Sequence, residues 1–148
     1  MLVELSQKEL APICEKSSIE VSTYMETVRY EHVMHLVSEV EGTLAPGFHA
    51  LDALKATLPA GTVTGSPKKY AMDIISQLED EPRGLYGGAI GYIGLNGNID
   101  FALTIRTMTV RDRVATVQAG AGIVKASVPA LEYKETVNKA RSLLEALK

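Results

Sequence analysis

Residues 84–124 read GLYGGAIGYIGLNGNIDFALTIRTMTVRDRVATVQAGAGIV, and they contain three candidate β-strands. β-Branched and aromatic residues are frequent in these segments, as is typical of strands. The strands lie near 86–94, 99–110 and 113–124. Two short polar groups, Asn96-Gly97-Asn98 and Arg111-Asp112-Arg113, separate them and are suited to hairpin turns. The segment therefore predicts an antiparallel meander.

Helical patterns lie on both sides of this meander. The longest covers 128–148, where apolar residues recur at helical spacing. A second covers 67–78, with Ser66 as the candidate N-cap and Pro67 at the first helical position. Its apolar stripe, which we expect to be buried, comprises Tyr70, Ala71, Ile74, Ile75 and Leu78. A third, shorter pattern covers 48–57 and ends at Leu58-Pro59.

The N-terminal part of the sequence is less regular. Loose alternation at 19–21 and 30–40 favours strands, whereas Pro12 interrupts the leucine spacing of 1–14, which receives no firm assignment. Antiparallel strands with segregated helices predict the α+β class, with antiparallel sheets and flanking helices. No repeat, linker or low-complexity tract divides 1–148, so the sequence predicts a single domain.

Composition narrows the class of function. The 148 residues carry a formal net charge of -3, with 46% hydrophobic and 22% charged residues, which is the balance of an ordinary globular domain. The slight acidic excess and the absence of a basic run argue against nucleic-acid binding. No apolar stretch approaches the roughly 20 residues of a membrane helix. One cysteine and no recognisable signal sequence favour a cytoplasmic protein that acts on small molecules.

Glu132, Glu135 and Lys139 are spaced three and four residues apart on the last helical pattern, which brings them to nearly one face. Two carboxylates one turn apart can offer oxygen ligands to Mg²⁺, which usually also binds an anionic substrate. Lys139 could then hold the charge of that substrate. The alternative is a solvated Glu–Lys ladder, which stabilises a helix by about 0.2–0.5 kcal/mol per pair.

Further candidates lie on the predicted meander. Gly120 and Gly122 end its third strand and can bring backbone N–H groups close to a ligand carboxylate, although a bulge or tight turn is the alternative. Alternation places Arg106 on the face of Thr104 and Met108. There its guanidinium suits a carboxylate, or it is simply an exposed strand arginine. The spacings of dinucleotide-binding and phosphate-binding glycine motifs are absent.

Several motifs occur together along about 14–148. They are RYEHVMHLVSEVEG (29–42), PAGTVTGSPKKYAMDII (59–75), GLYGGAIGYIGLNGNID (84–100), TIRT (104–107) and QAGAGIVKASVPALEYKETVNKA (118–140). This set resembles the C-terminal portion of chorismate-using enzymes, most closely the anthranilate synthase component I family. In that family two antiparallel sheets pack together with helices outside. The resemblance implies that 1–148 is a partial chorismate-binding domain, the C-terminal half of that fold.

The resemblance also implies a reaction. Members of the family convert chorismate to an aminated intermediate and then eliminate pyruvate, require Mg²⁺, and take ammonia from a glutamine amidotransferase partner. We therefore expect the C-terminal part of an anthranilate synthase of tryptophan biosynthesis, inactive by itself because one side of the site is missing. Either the missing N-terminal half or self-association would cover the sheet surface that is left open.

By the same resemblance, site roles fall on specific residues. Those expected to bind the substrate are Thr62, Tyr86, Arg106, Gly120, Gly122 and Lys139. Glu135 is expected to ligate Mg²⁺, with Glu132 beside the metal or its water. His35 would assist loss of the ring hydroxyl, and Thr62 would position the ring.

Two other functions are compatible with the sequence. Aminodeoxychorismate synthase is a close relative, and its product is a para-amino acid where anthranilate is an ortho-amino acid. A non-catalytic interaction domain that self-associates through an exposed sheet is the alternative from a different class.

Overall fold

The computed structural model of the chain describes residues 1–29 and 34–147. They form helices and small antiparallel sheets, which confirms the α+β prediction. Contacts divide the chain into two compact units. The first comprises Met1–Leu58 with Gly94–Ile99, and the second comprises Pro59–Ile93 with Asp100–Lys148.

The described part of the first unit contains two helices and one two-stranded sheet. Its elements are α1 (Leu2–Leu10), β1 (Glu20–Arg29), β2 (Met34–Glu41) and α2 (Ala50–Thr57). The strands pair antiparallel, with irregular register between Val21 and Glu26. The strand expected over 30–40 is present from Met34, and residues 30–33 lie outside the described residues. The leucine spacing near the N-terminus does form a helix, and the predicted helix at 48–57 is confirmed from Ala50 onward.

The second unit carries most of the motifs. Its elements are α3 (Gly61–Thr64), α4 (Lys68–Leu78), β3 (Ala89–Ile93), β4 (Ile99–Leu103), β5 (Met108–Arg111), β6 (Val114–Val117) and α5 (Pro129–Glu145). β3 pairs with β4, and β5 pairs antiparallel with β6. Both predicted hairpin turns are present, and Asp112 and Arg113 take the positive φ values, 51° and 64°, that a tight turn of this kind requires.

The continuous meander was wrong at one point. Residues 104–107 leave the extended conformation, and Arg106 has a φ of 50°. The strand ladder is interrupted at this point, and β4 and β5 belong to separate two-stranded sheets. Arg106 is therefore not on a shared strand face with Thr104 and Met108, because Thr104 is buried whereas Arg106 is exposed.

The helix expected at 67–78 differs in its start and in its burial. It begins at Lys68 with Pro67 as the N-cap, so Ser66 is not the cap, and the preceding loop contains the short helix α3. The apolar stripe is not buried. Tyr70 is 66% exposed and Leu78 is 75% exposed, and only Ala71 and Ile75 are partly covered. Periodicity identifies an apolar face correctly, but most of that face is left exposed by the described residues.

Apolar exposure is general in this chain. Among the described residues, Ile13 and Cys14 alone are buried apolar side chains. The chain exposes 11633 Å², whereas a folded monomer of its 16.0 kDa exposes about 7,400 Å². The excess is about 4,200 Å² on this chain alone, whereas large obligate interfaces bury about 2,000–5,000 Å² or more counted over both partners. None of the helices in the described ranges has the length and apolarity that a membrane span requires.

Candidate active site

The centre of the candidate site is the side chain of Lys139 on α5. Its ammonium donates a hydrogen bond to the carbonyl oxygen of Gly120 at 2.9 Å and forms an ion pair with the carboxylate of Glu135, one helical turn earlier. The side chain is 28% exposed, so the charge is partly withdrawn from water. These contacts join the last helix to the glycine segment that follows β6. Two of the three N–H donors of the ammonium are thereby engaged, which leaves a third for a ligand.

Tyr86 lies against the same glycine. A Cβ atom added at Gly120 would come within 2.8 Å of the Tyr86 hydroxyl, which is closer than such contacts allow. Glycine is therefore the residue type that lets the tyrosine reach the segment. The structure thus brings together Tyr86, Gly120, Lys139 and Glu135, four of the site residues that the sequence singled out.

The loop containing Tyr86 is tied to the segment containing Arg106. The Gly87 N–H donates to the carbonyl oxygen of Thr104 at 3.0 Å, and the Thr104 N–H donates to the carbonyl oxygen of Gly88 at 2.9 Å. Thr104 is buried at this junction, with 6% of its surface exposed. Arg106 lies two residues further on and is exposed. The paired hydrogen bonds therefore hold the segment that contains Arg106 against the loop that contains Tyr86.

Arg83 connects this loop to α3, and no motif in the sequence indicates a role for it. Its Nη1 donates to the carbonyl oxygen of Val63 at 2.6 Å, while Nε and Nη2 donate to the two carboxylate oxygens of Glu79 at 2.7 and 2.6 Å. The guanidinium also lies 5.5 Å from the centre of the Tyr86 ring, within cation–π range. Val63 follows Thr62, so Arg83 contacts the backbone beside one site residue and the ring of another.

The charge state of this ion pair follows from its geometry. The hydrogen bonds from Arg83 lower the pKa of the Glu79 carboxyl below its ordinary value; burial opposes this shift, and the attraction of the guanidinium adds to it. The same hydrogen bonds raise the pKa of Arg83. Both groups are therefore charged at neutral pH, and the bidentate contact is the strong form of this interaction.

A cavity of about 360 Å³ opens beside this cluster within the second unit. Its walls are mostly apolar. The residues that line it include Thr64, Met72, Ile75, Arg83, Tyr86 and Gly87. Arg83 and Tyr86 therefore line the same cavity as Met72 and Ile75 of α4.

Comparison with known proteins identifies the family. The family model for chorismate binding enzymes matches residues 1–145. This chain belongs to the chorismate-binding enzyme family. It is 53% identical over 147 residues to anthranilate synthase component 1 of Aquifex aeolicus, covering 99% of this chain and 30% of that protein. It is 54% identical to the component 1 of Lactococcus lactis, covering 98% of this chain and 32% of the relative.

Solved structures of chorismate-binding enzymes have the same fold. Anthranilate synthase component I of Streptococcus pneumoniae matches with a TM-score of 0.91 and 53% identity, covering 96% of this chain and 33% of that one. A putative 2,3-dihydroxybenzoate-specific isochorismate synthase of Bacillus anthracis matches with a TM-score of 0.85 and 32% identity, over 99% of this chain and 39% of that structure. The resemblance to anthranilate synthase component I is confirmed, and the chain spans about a third of the length of these relatives.

The remaining site candidates of this chorismate-binding chain lie outside the cluster around Lys139. His35 lies on β2 in the first unit, whereas the other candidates belong to the second unit. Thr62 is exposed on α3. Gly122 is exposed, and a Cβ added there would meet nothing within 4 Å. Glu132 lies in the first turn of α5, where the helix dipole favours a negative charge whatever else the residue does.

The carboxylates of α5 fit one part of a Mg²⁺ site. No group of three or more His, Cys, Asp or Glu side chains suited to a metal occurs in the described ranges. Mg²⁺ is usually held by one or two protein carboxylates together with waters and an anionic substrate. Glu132 and Glu135, one turn apart, match that requirement, and Lys139 already balances the charge of Glu135.

Proposed function

We propose that this chain is the C-terminal part of an anthranilate synthase of tryptophan biosynthesis. The reaction takes chorismate and ammonia to anthranilate, pyruvate and water. A C–N bond forms at the ring, the ring hydroxyl leaves as water, and the enolpyruvyl group leaves as pyruvate. The observation that carries the proposal is the cluster of Lys139, Gly120 and Tyr86 in a chain more than half identical to anthranilate synthase component 1.

Chorismate carries two carboxylates, and this chain offers it several donors. The third N–H of the Lys139 ammonium receives one carboxylate together with the backbone amides at Gly120 and Gly122. Arg106 supplies a guanidinium from the segment beside the Tyr86 loop. Hydrogen bonds of this charge-assisted kind are each stronger than neutral ones, so they fix the ring for the chemical steps.

Four other side chains act on the ring and on the developing charge. Thr62 orients the ring, and His35 donates a proton to the departing hydroxyl, since an imidazole can carry a proton near neutral pH. Glu135 and Glu132 hold Mg²⁺, which offsets negative charge on the substrate when it is bound. In Glu135→Gln we expect the Mg²⁺ concentration for half-maximal activity to rise at least tenfold, whereas Glu145→Gln at the end of the same helix leaves it unchanged.

One of the proposed partners follows from the area left open. The excess of about 4,200 Å² on this chain is larger than one partner's share of a transient contact. We propose that the further polypeptide of a complete component I covers it, that a glutamine amidotransferase subunit supplies the ammonia, and that the assembly is cytoplasmic. The chain by itself is then inactive. Self-association through the same apolar surface is the outcome that sedimentation would reveal for the chain produced alone.

A chimera tests the proposed function. This chain replaces the matching third of the Aquifex aeolicus relative, and anthranilate fluorescence is followed with chorismate, Mg²⁺ and ammonium. We expect the chimera to form the ortho-amino product and the isolated chain to form none. A folded chimera without activity, beside an active parent, would contradict the proposal. A para-amino product would indicate aminodeoxychorismate synthase, and turnover by the chain alone would refute its dependence on further polypeptide.

A further inference from the structure

Three separate segments of the second unit meet at the guanidinium of Arg83. The first is the end of α4, through the two contacts to Glu79. The second is α3, through the carbonyl oxygen of Val63. The third is the loop 83–88, through the ring of Tyr86. With a side chain only 23% exposed, Arg83 is held at this junction rather than moving freely at the surface.

A second observation shows how close these segments are. A Cβ added at Gly87 would lie 3.3 Å from Cγ2 of Val63 and 3.9 Å from Nη1 of Arg83, and the φ of Gly87 is 75°. The loop and α3 therefore touch directly at a position where glycine is favoured. This packing leaves the Val63 carbonyl oxygen facing the guanidinium, so the hydrogen bond from Arg83 sets the spacing between α3 and the loop.

The chemistry of this junction requires a guanidinium. A planar group with five N–H donors can bind both oxygens of a carboxylate, reach a carbonyl with a further N–H, and stack on an aromatic ring. An ammonium has the same charge but no fixed plane, so it can satisfy only some of these contacts at once. Lysine at this position would therefore retain the charge and lose the geometry.

We propose that Arg83 is a positioning residue of the chorismate site. Held by Glu79, it fixes the Val63 backbone, and hence the adjacent Thr62, together with the ring of Tyr86. The inference rests on the proposed function, because Thr62 and Tyr86 matter only if they bind the substrate. Arg83 does not itself need to contact chorismate. Its effect arises because a displacement of binding groups by about 1 Å can cost on the order of 100-fold in rate.

The first test uses steady-state kinetics of the chimera described above. In Arg83→Lys we expect the KM for chorismate to rise about tenfold or more with a smaller change in kcat, since the displaced groups bind the substrate. Glu79→Gln leaves the arginine in place and weakens its anchor, so we expect a change in the same direction of about threefold. Arg111→Lys is the matched control, because Arg111 pairs with Asp112 at a fully exposed turn.

The second test does not depend on activity. Nitration of individual tyrosines by tetranitromethane is followed by mass spectrometry in the parent chimera and in its variants. We expect Arg83→Lys to speed nitration of Tyr86 at least threefold, because the guanidinium no longer covers its ring. Tyr70 and Tyr133, which are 66% and 72% exposed, provide internal controls, and their nitration rates should match those of the parent.

The two readouts separate the failure of this proposal from the failure of the proposed function. If the unsubstituted chimera is inactive, the proposed function fails, and the Tyr86 nitration rate still decides whether Arg83 positions the ring. An unchanged nitration rate in Arg83→Lys overturns the proposal. In an active chimera an unchanged KM for chorismate also overturns it. Should Arg83→Lys fail to fold, the same two comparisons are made on Glu79→Gln.

Discussion

The ammonium of Lys139 donates a hydrogen bond to the carbonyl oxygen of Gly120 at 2.9 Å, which fastens α5 to the glycine segment behind β6. The same ammonium pairs with Glu135, so one side chain links a candidate metal ligand to a candidate anion-binding backbone. Because a chorismate carboxylate would need both groups in register, this contact makes Lys139 the first residue to alter.

We expect Lys139→Met in the chimera to raise the KM for chorismate about 10- to 100-fold, since hydrogen bonds to charged groups contribute about 1.5–3 kcal/mol. Methionine keeps the apolar stem and removes the charge. Lys134→Met, an exposed position on the same helix, is the matched control and should leave the KM unchanged. Equal KM values in the two variants would show that Lys139 does not bind the substrate.

Gly120→Ala and Gly122→Ala form a second matched pair. The new methyl group at Gly120 would lie 2.8 Å from the Tyr86 hydroxyl, whereas the one at Gly122 would meet nothing within 4 Å. We expect Gly120→Ala to lower the free energy of unfolding by about 1–3 kcal/mol, the usual cost of overpacking, and Gly122→Ala to change it by less than about 0.5 kcal/mol. Urea denaturation measures both. Equal losses would place the Tyr86 hydroxyl elsewhere.

Gly87→Ala and Gly84→Ala separate backbone strain from a packing clash. Both glycines have positive φ, 75° and 58°, so alanine is strained at each by about 1–2 kcal/mol. At Gly87 the new methyl group would in addition press on Val63 at 3.3 Å, while at Gly84 it would meet nothing within 4 Å. We expect the larger loss of unfolding free energy at Gly87. A larger loss at Gly84 would argue against the contact between the loop and α3.

The Glu79–Arg83 ion pair predicts a pH dependence of stability. Because the hydrogen bonds from Arg83 lower the folded-state pKa of Glu79, the pair stabilises the fold above the unfolded-state pKa of about 4.3 and loses this contribution as pH falls through the folded-state value. The unfolding free energy of the parent should therefore exceed that of Glu79→Gln by a steady amount from about pH 7 to pH 5 and by less at lower pH.

Urea denaturation at several pH values, without added salt, checks this expectation. Glu81→Gln, at an exposed position two residues further along the chain, is the matched control for the loss of one acidic charge. A difference between parent and Glu79→Gln that persists undiminished to pH 3 would contradict the ion pair.

Much of the secondary structure could be predicted from the sequence because its determinants are local. The apolar periodicity of α5 and the turn around Asn96-Gly97-Asn98 act over a few residues. The break at Arg106 could not be predicted, because a side chain with a Cβ atom rarely takes a positive φ and the letters TIRT carry no sign of one. Tyr70 and Leu78 show a further limit: periodicity identifies an apolar face but not what covers it.

Parts of the candidate site were predictable for a different reason. Lys139, Glu135 and Gly120 belong to motifs that resemble a known family, so their grouping could be predicted from the sequence. The role of Arg83 could not be predicted, because its partners are the backbone carbonyl of Val63 and the ring of Tyr86. A contact to a backbone carbonyl has no sequence signature. Only the four-residue spacing from Glu79 hinted at an ion pair, and many exposed pairs share that spacing.

The large exposed apolar area affects how the chain must be made. Exposed hydrophobic surface binds chaperones and neighbouring chains as soon as it leaves the ribosome. We expect the chain synthesised alone to accumulate in inclusion bodies, and the same residues synthesised within a chimera to remain in the supernatant. The amount of folded chain in the cell would then depend on whether the polypeptide that covers this surface is synthesised with it. The strength of the contacts within the chain would matter less.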